Sequence, residues 1–207
     1  MELIKKYFPD LLPAQLGQLE AFESVFADWN SKINLISRND MQHFYERHVL
    51  HSLAIARYIR FVPDTRILDV GTGGGFPGLP LAICFPDSDF LLVDSIGKKI
   101  KAVEAMVTAL NLDNVHVVQR RVEEIDEKFD FVVSRAVTTL PEFVGWTALR
   151  FHGQSRNTKP NGILYLKGGN LEPELKQLPK RWVKHVFPLS TWFEEDFFET
   201  KSLVHLY

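Results

Sequence analysis

Between Leu12 and Ile33 the apolar residues Leu12, Leu16, Leu19, Phe22, Phe26, Trp29 and Ile33 recur at three- and four-residue spacings. That spacing is the stripe of an amphipathic helix, and Pro13 suits its first turn. The stripe breaks at Asn34-Leu35-Ile36-Ser37-Arg38-Asn39-Asp40, whose polar residues predict a turn and an N-cap. A second helix is expected from about Met41 to Pro63, with Met41, Tyr45, Val49, Leu53 and Ala56 on one face. From Arg66 onward the pattern changes to short apolar runs alternating with helical stretches, as a mostly parallel sheet requires. The runs are Arg66-Ile67-Leu68, Phe90 to Asp94, Val115 to Val118, Phe129 to Val133 and Gly162 to Leu166. Leu79 to Cys84 and Ile100 to Leu110 read as intervening helices, the second with Ser95 as a possible cap. Trp182 to Pro188 and Lys201 to Leu206 should close the sheet as a pair, one strand antiparallel. Residues 1–62 form an N-terminal helical extension and 63–207 the main domain, together one compact unit.

Connectivity sorts the loops. Those leaving the strands share one sheet edge and surround one crevice; those entering share the other. The leaving loops are 71–78, 94–97, 119–123, 134–141 and 167–170. The polar stretch His152 to Asn161, with Arg156 and Lys159, precedes the fifth strand and belongs to the far edge, as solvated surface.

The first leaving loop carries the chemistry. Asp69-Val70-Gly71-Thr72-Gly73-Gly74-Gly75-Phe76-Pro77-Gly78 joins a buried strand to a helix. Its glycines permit positive φ and a close approach of ligand to backbone, and the following helix N-terminus offers free N–H groups. Gly73 to Gly78 satisfies G-x-G-x-x-G, a weak dinucleotide signal by itself. The acid two residues ahead of Gly71 gives D-x-G-x-G-x-G, which resembles the first motif of class I S-adenosylmethionine methyltransferases. The resemblance implies that Gly71, Gly73 and Gly75 wrap the methionine end, with Asp69 holding its ammonium group or the loop around it. Asp94 ends the second strand, 23 residues after Gly71 (94 − 71), where a carboxylate accepts hydrogen bonds from ribose hydroxyls. NAD shares that ribose, so an NAD-dependent oxidoreductase and a non-catalytic RNA-binding module on this fold are the alternatives. After the third strand, Arg121-Val122-Glu123-Glu124 is placed to line the adenine, Val122 packing on the ring.

Composition narrows the picture. At 207 residues and 45% hydrophobic content the chain can bury a full core. No apolar run approaches the ~20 residues of a membrane span and no signal peptide is evident, so the protein is expected in the cytoplasm, away from membranes. Cys84 is the only cysteine, which leaves no intrachain disulfide and no thiolate metal cluster. His43, His48 and His51 are spaced by five and three, not the i, i+4 of a helical zinc pair, so no metal is expected. His48, on a stripe with Phe44 and Ile55, reads as a half-buried, hydrogen-bonded histidine. The net charge of −2 argues against a strongly basic nucleic-acid binder, yet residues 98–184 carry 15 Lys/Arg against 10 Asp/Glu. Phosphate contacts need local positive charge only.

The fourth run leads into Ser134-Arg135-Ala136, not the D/N-P-P-Y/F stretch that methyltransferases of exocyclic amines often carry. A lone cysteine within a helix also excludes the cysteine route to pyrimidine carbon-5. Asn30…Asn34-Leu35, Glu46-Arg47-His48-Val49-Leu50-x-Ser52-Leu53, Leu68 to Gly78, Ser134-Arg135-Ala136 and Leu166-Lys167-Gly168 occur in order. In this the chain resembles the ribosomal RNA small subunit methyltransferase G family, also called glucose-inhibited division protein B. The resemblance spans about residues 30–170. It implies an α/β class I methyltransferase with a Rossmann-like, seven-stranded, mostly parallel sheet and an N-terminal helical extension. It implies S-adenosyl-L-methionine as cofactor, and methyl transfer to N7 of one guanine in 16S ribosomal RNA near the decoding centre. The partner would be the small subunit or its RNA, and the protein a monomer. Gly71, Phe76, Val122, Glu123 and Arg135 would contact the cofactor, and Asn34, Arg47, Arg135 and Lys167 the RNA. The family usually has Asp where His51 stands, and often a basic Arg-His pair at Lys201-Ser202, so no RNA role is assigned to the C-terminus.

Overall fold

The computed structural model describes residues 1–207. The N-terminal stripe forms helix α2 (Pro13–Ile33), with proline in its first turn and Asn34 left-handed at its end (φ 51°). Its inward face buries Leu19, Phe22 and Phe26. Leu12 departs from the stripe: it is 62% exposed and its N–H donates to Gln15 Oε1 at 2.9 Å. A short helix, α1 (Glu2–Tyr7), precedes it and buries Ile4.

The second expected helix is not one α-helix. Ser37 caps α3 (Arg38–Met41), Phe44–Leu50 wind as a π-helical segment, and α4 (His51–Tyr58) follows. Every residue from His48 to Ile55 is buried. A helix surrounded by protein has no polar face, so hydrophobic spacing cannot report its pitch.

The sheet has seven strands in the order β3-β2-β1-β4-β5-β7-β6. Strands β1 (Arg66–Val70), β2 (Asp89–Asp94), β3 (Val115–Gln119), β4 (Phe131–Arg135) and β5 (Gly162–Gly168) are mutually parallel. The tail supplies β6 (Lys184–Pro188) and β7 (Lys201–Leu206), and β7 runs antiparallel to both its neighbours. β4 starts two residues later than expected, at Phe131. Asp130 instead accepts the Arg66 N–H through Oδ2 at 2.9 Å, and Phe129 makes an isolated bridge to Phe151.

Helices cover both faces. On one, Phe22, Phe26 and Phe44 of the N-terminal region pack in a single core with Ile67, Phe90 and Phe131 of the sheet. This core also takes in α5 (Gly78–Cys84) and α6 (Gly97–Ala109). On the other face, Leu68, Val132 and Ile163 pack against α7 (Leu140–Thr147) and residues flanking α8 (Glu172–Gln177). Ser95 does not cap α6; Ile96 occupies the cap position and Asp94 Oδ1 accepts its N–H at 2.9 Å. Cys84 is partly buried, and burial pushes its thiol up to about 12. No helix is long and apolar enough to cross a membrane.

Candidate functional site

Strand order reverses between β1 and β4, so the loops leaving them diverge and open a crevice at the carboxyl edge. A cleft of about 440 Å³ lies there, within the ~300–1,000 Å³ typical of small-molecule sites. Its floor is the loop from Gly71 to Gly74 with Phe76, and one wall is Asp94, Lys99, Arg121, Val122 and Glu123. The opposite wall is Arg135, Val137 and Trp146, with Leu35 and Ile36 of the N-terminal region beside the loop.

The glycine loop is built for close approach. Gly71, Gly73 and Gly75 have φ of 69°, 59° and 90°, a region that disfavours any Cβ. A side chain at Gly75 would meet Leu79 at 2.4 Å, but at Gly73 the nearest atom is the Gly71 carbonyl at 3.9 Å. The space opposite Gly73 is open and belongs to the cleft. Asp69 lies behind the loop, fully buried; its Oδ2 accepts the Thr72 hydroxyl at 2.7 Å and the Gly78 N–H at 2.9 Å. Of the two roles left open for this acid, the geometry displays the loop-holding one. Burial raises its pKa to about 7 against those two donors.

Asp94 closes the loop from the other side. Its Oδ2 accepts the Gly73 N–H at 3.1 Å and its Oδ1 the Ile96 N–H, with Lys99 Nζ 4.0 Å away. Holding the backbone is compatible with the ligand role of this acid. A carboxylate offers about four lone-pair sites and each oxygen spends one on the backbone, leaving both able to accept a ribose hydroxyl.

Arg135, the last residue of β4, is not on a solvated loop as its position suggested. Its Nη1 donates to the Arg47 carbonyl at 3.1 Å, its Nη2 to His48 Nδ1 at 3.0 Å, and the guanidinium lies 4.8 Å from the Phe76 ring centroid. Burial lowers its pKa to about 10, with the Asp69 and Asp40 carboxylates opposing. His48 is hydrogen-bonded as expected, and it is buried where half-burial was expected. The three N-terminal histidines diverge: His48 turns to Arg135, His51 packs on Phe197 and Phe198, and His43 sits 3.6 Å from Glu46.

Of the residues read from the sequence, Gly71, Gly73, Phe76, Asp94, Val122, Glu123 and Arg135 meet in the cleft. Asp69 and Gly75 support the loop from beneath. Asn34, Arg47 and Lys167 do not line the cleft. Asn34 is an exposed helix end, and the Arg47 side chain pairs with Asp40 at 3.2 Å while only its carbonyl serves Arg135. Lys167 lies within β5, not on a loop, and its ammonium is spent on Glu174 at 2.6 Å and the Thr138 carbonyl at 2.9 Å. Leu35, Ile36, Lys99 and Trp146 were not identified as cleft residues from the sequence, whereas Val137 belongs to the 134–141 loop expected there. The apolar pair Leu35-Ile36 inside a polar turn was the one available signal. On the far edge, Arg156 is exposed as expected, and also donates to the Asp64 carbonyl at 2.6 Å.

The order 3-2-1-4-5-7-6, with β7 antiparallel, differs from the 3-2-1-4-5-6 order of dinucleotide-binding sheets. Fold and cleft together define a class I S-adenosylmethionine-dependent methyltransferase, whose cofactor fits the glycine floor and the acid of β2. Among solved structures, an S-adenosylmethionine-dependent O-methyltransferase from Thermotoga maritima matches with TM-score 0.58 at 16% identity, covering 81% of this chain and 69% of that one. An rRNA methylase from Streptococcus thermophilus matches with TM-score 0.51 at 10% identity, covering 76% and 93%. Residues 15–196 match the family model of rRNA small subunit methyltransferase G, and the chain belongs to that family. Relatives bearing the name ribosomal RNA small subunit methyltransferase G include one from Cytophaga hutchinsonii, 50% identical over 100% of this chain and 99% of its own length. Another, from Christiangramia forsetii, is 52% identical over 100% and 96%. Family membership decides against the NAD-dependent alternative.

Proposed function

We propose that the protein transfers a methyl group from S-adenosylmethionine to N7 of a guanine in 16S ribosomal RNA near the decoding centre. It acts in the cytoplasm, as a monomer, on the small subunit or its RNA. The cofactor supplies an electrophilic methyl group on a sulfonium. In this reading the Gly71–Gly74 backbone holds the amino-acid end, Asp94 the ribose and Val122 the adenine. Arg135 presents its remaining N–H groups to an anion, either the cofactor carboxylate or an RNA phosphate, and Leu35 and Ile36 exclude water beside the loop.

The observation that carries the N7 assignment is the make-up of the cleft wall. Its only carboxylates, Asp94 and Glu123, come from the β2 and β3 side, and no histidine lines it. A nucleophile that sheds a proton needs a positioned base. Guanine N7 is a lone pair unprotonated at neutral pH, so positioning and water exclusion suffice. The test is to map methylated guanines in small-subunit rRNA from cells with and without the gene. Loss of one N7-methylguanine in the knockout is expected; an unchanged map overturns the assignment.

A further inference from the structure

Arg135 is a half-buried cation with no carboxylate in direct contact. None lies within 4.0 Å of it, whereas Arg47 and Lys167 each have such a partner. Three neutral groups hold it instead: the Arg47 carbonyl, His48 Nδ1 and the Phe76 ring. Two of the three belong to consecutive residues of the π-helical segment Phe44–Leu50. π-Helical turns are rare, and they occur often at functional sites.

A guanidinium only donates, so His48 Nδ1 must accept and the ring proton resides on Nε2. The imidazole cannot swing away, because it lies 5.3 Å from the Phe76 centroid and stacks on Phe44 at 6.5 Å. Burial first, and then the Arg135 charge, hold it neutral with a pKa near 3, so the acceptor persists at any physiological pH. Arg135 lines the cleft and His48 does not.

We propose that His48 is a positioning residue: its Nδ1, with the Arg47 carbonyl, clamps two N–H groups of Arg135 so that a remaining N–H edge of the guanidinium faces an anion in the cleft. The inference rests on the reading of Arg135 as an anion-binding group of that cleft. A guanidinium oriented in advance loses less freedom on binding than one that must be immobilised by its ligand. The anion is a carboxylate or a phosphate, and two measurements tell the sources apart. Calorimetry with S-adenosylhomocysteine reads the cofactor carboxylate, and the KM for small-subunit RNA reads a phosphate.

The decisive pair is His48→Asn and His48→Leu, both branched at Cγ, of which only Asn keeps an acceptor. His48→Leu is expected to weaken one of the two readouts about tenfold, and His48→Asn by less than about threefold, as loss of one hydrogen bond to a charged group implies. In an Arg135→Gln background, His48→Leu should have no further effect on that readout, since it acts through the guanidinium. Equal losses in the Asn and Leu variants, or additive losses in the double variant, would show that His48 serves packing alone and overturn the proposal. Unchanged binding and KM in Arg135→Gln itself would remove the reading of Arg135, and the clamp with it. Melting temperatures monitor the fold, and His48→Ala replaces the Leu variant if that one does not fold.

Discussion

Asp94, at the end of β2, holds the glycine loop that leaves β1: its Oδ2 accepts the Gly73 N–H at 3.1 Å while its Oδ1 accepts Ile96. One carboxylate thus ties two leaving loops to each other across the cleft. Asp94→Ala should weaken S-adenosylhomocysteine binding by roughly 2–4 kcal/mol if two charge-assisted hydrogen bonds to the ribose are lost. Calorimetry checks it. Unaltered affinity would mean that Asp94 serves the loops only.

Gly74 touches Phe26 across the boundary between the cofactor loop and α2. A Cβ there would stand 2.7 Å from the Phe26 ring, which is fully buried among Phe22, Phe44 and Phe76 and has nowhere to move. Gly74→Ala should therefore destabilise the protein by about 1–3 kcal/mol through overpacking and loosen cofactor binding with it. Denaturant unfolding measures the first and calorimetry the second. A variant as stable as the parent would show that the helical extension yields.

Lys167 is expected to behave as a strut. Its bonds to Glu174 and to the Thr138 carbonyl link β5, α8 and the loop after β4. Lys167→Ala and Glu174→Ala should each cost about 1–3 kcal/mol of stability, and the double variant little more than either. A Lys167→Ala protein with normal stability and a raised KM for RNA would restore this lysine to the substrate.

The pH dependence of stability follows from buried histidines. His48 is held near 3 and His205 near 4, both chiefly by burial, and burial pushes His51 well below its ordinary value. A depressed base binds its proton more readily when unfolded, so this stability is present above about pH 6.5 and is lost as pH falls below it. Asp69, raised to about 7 by burial, has the opposite sign: its contribution is present at low pH and is lost as pH rises through 7. Three groups outweigh one, and the melting temperature should drop between about pH 6.5 and pH 4.5. A flat profile over that range would contradict the burial of these rings.

The methyl-transfer step should behave differently from stability. At saturating cofactor and RNA, the single-turnover rate should be nearly constant from about pH 6 to pH 9, because N7 loses no proton. The Asp69 titration within that window acts on the loop, and so on cofactor affinity, not on the saturated rate. His48→Ala and His51→Ala should leave that rate within a few-fold. A steep rise with pH, abolished by one of these changes, would demand a general base and a different nucleophile.

Sequence alone determined whatever depends on local order along the chain. The stripe from Leu16 to Ile33, the alternation after Arg66 and the glycine loop between Asp69 and Gly78 are each written in neighbouring residues, and element order follows from them. So does the grouping of Gly71, Gly73, Asp94, Val122 and Arg135 at one sheet edge, because parallel connectivity leaves no other place for loops that leave strands. Tertiary structure decided what depends on partners distant in sequence. The π-helical pitch of Phe44–Leu50 is invisible because the segment from His48 onward is buried on all sides, where hydrophobicity has no period to display. Whether a lysine or an arginine at a strand end is free or engaged depends on a residue elsewhere in the chain. Lys167 finds Glu174 seven positions on, and Arg135 finds Arg47 and His48 88 and 87 positions back. Charge and position look alike for both residues in the sequence; the neighbours that folding brings leave one cation bound to a carboxylate and the other held only by neutral groups.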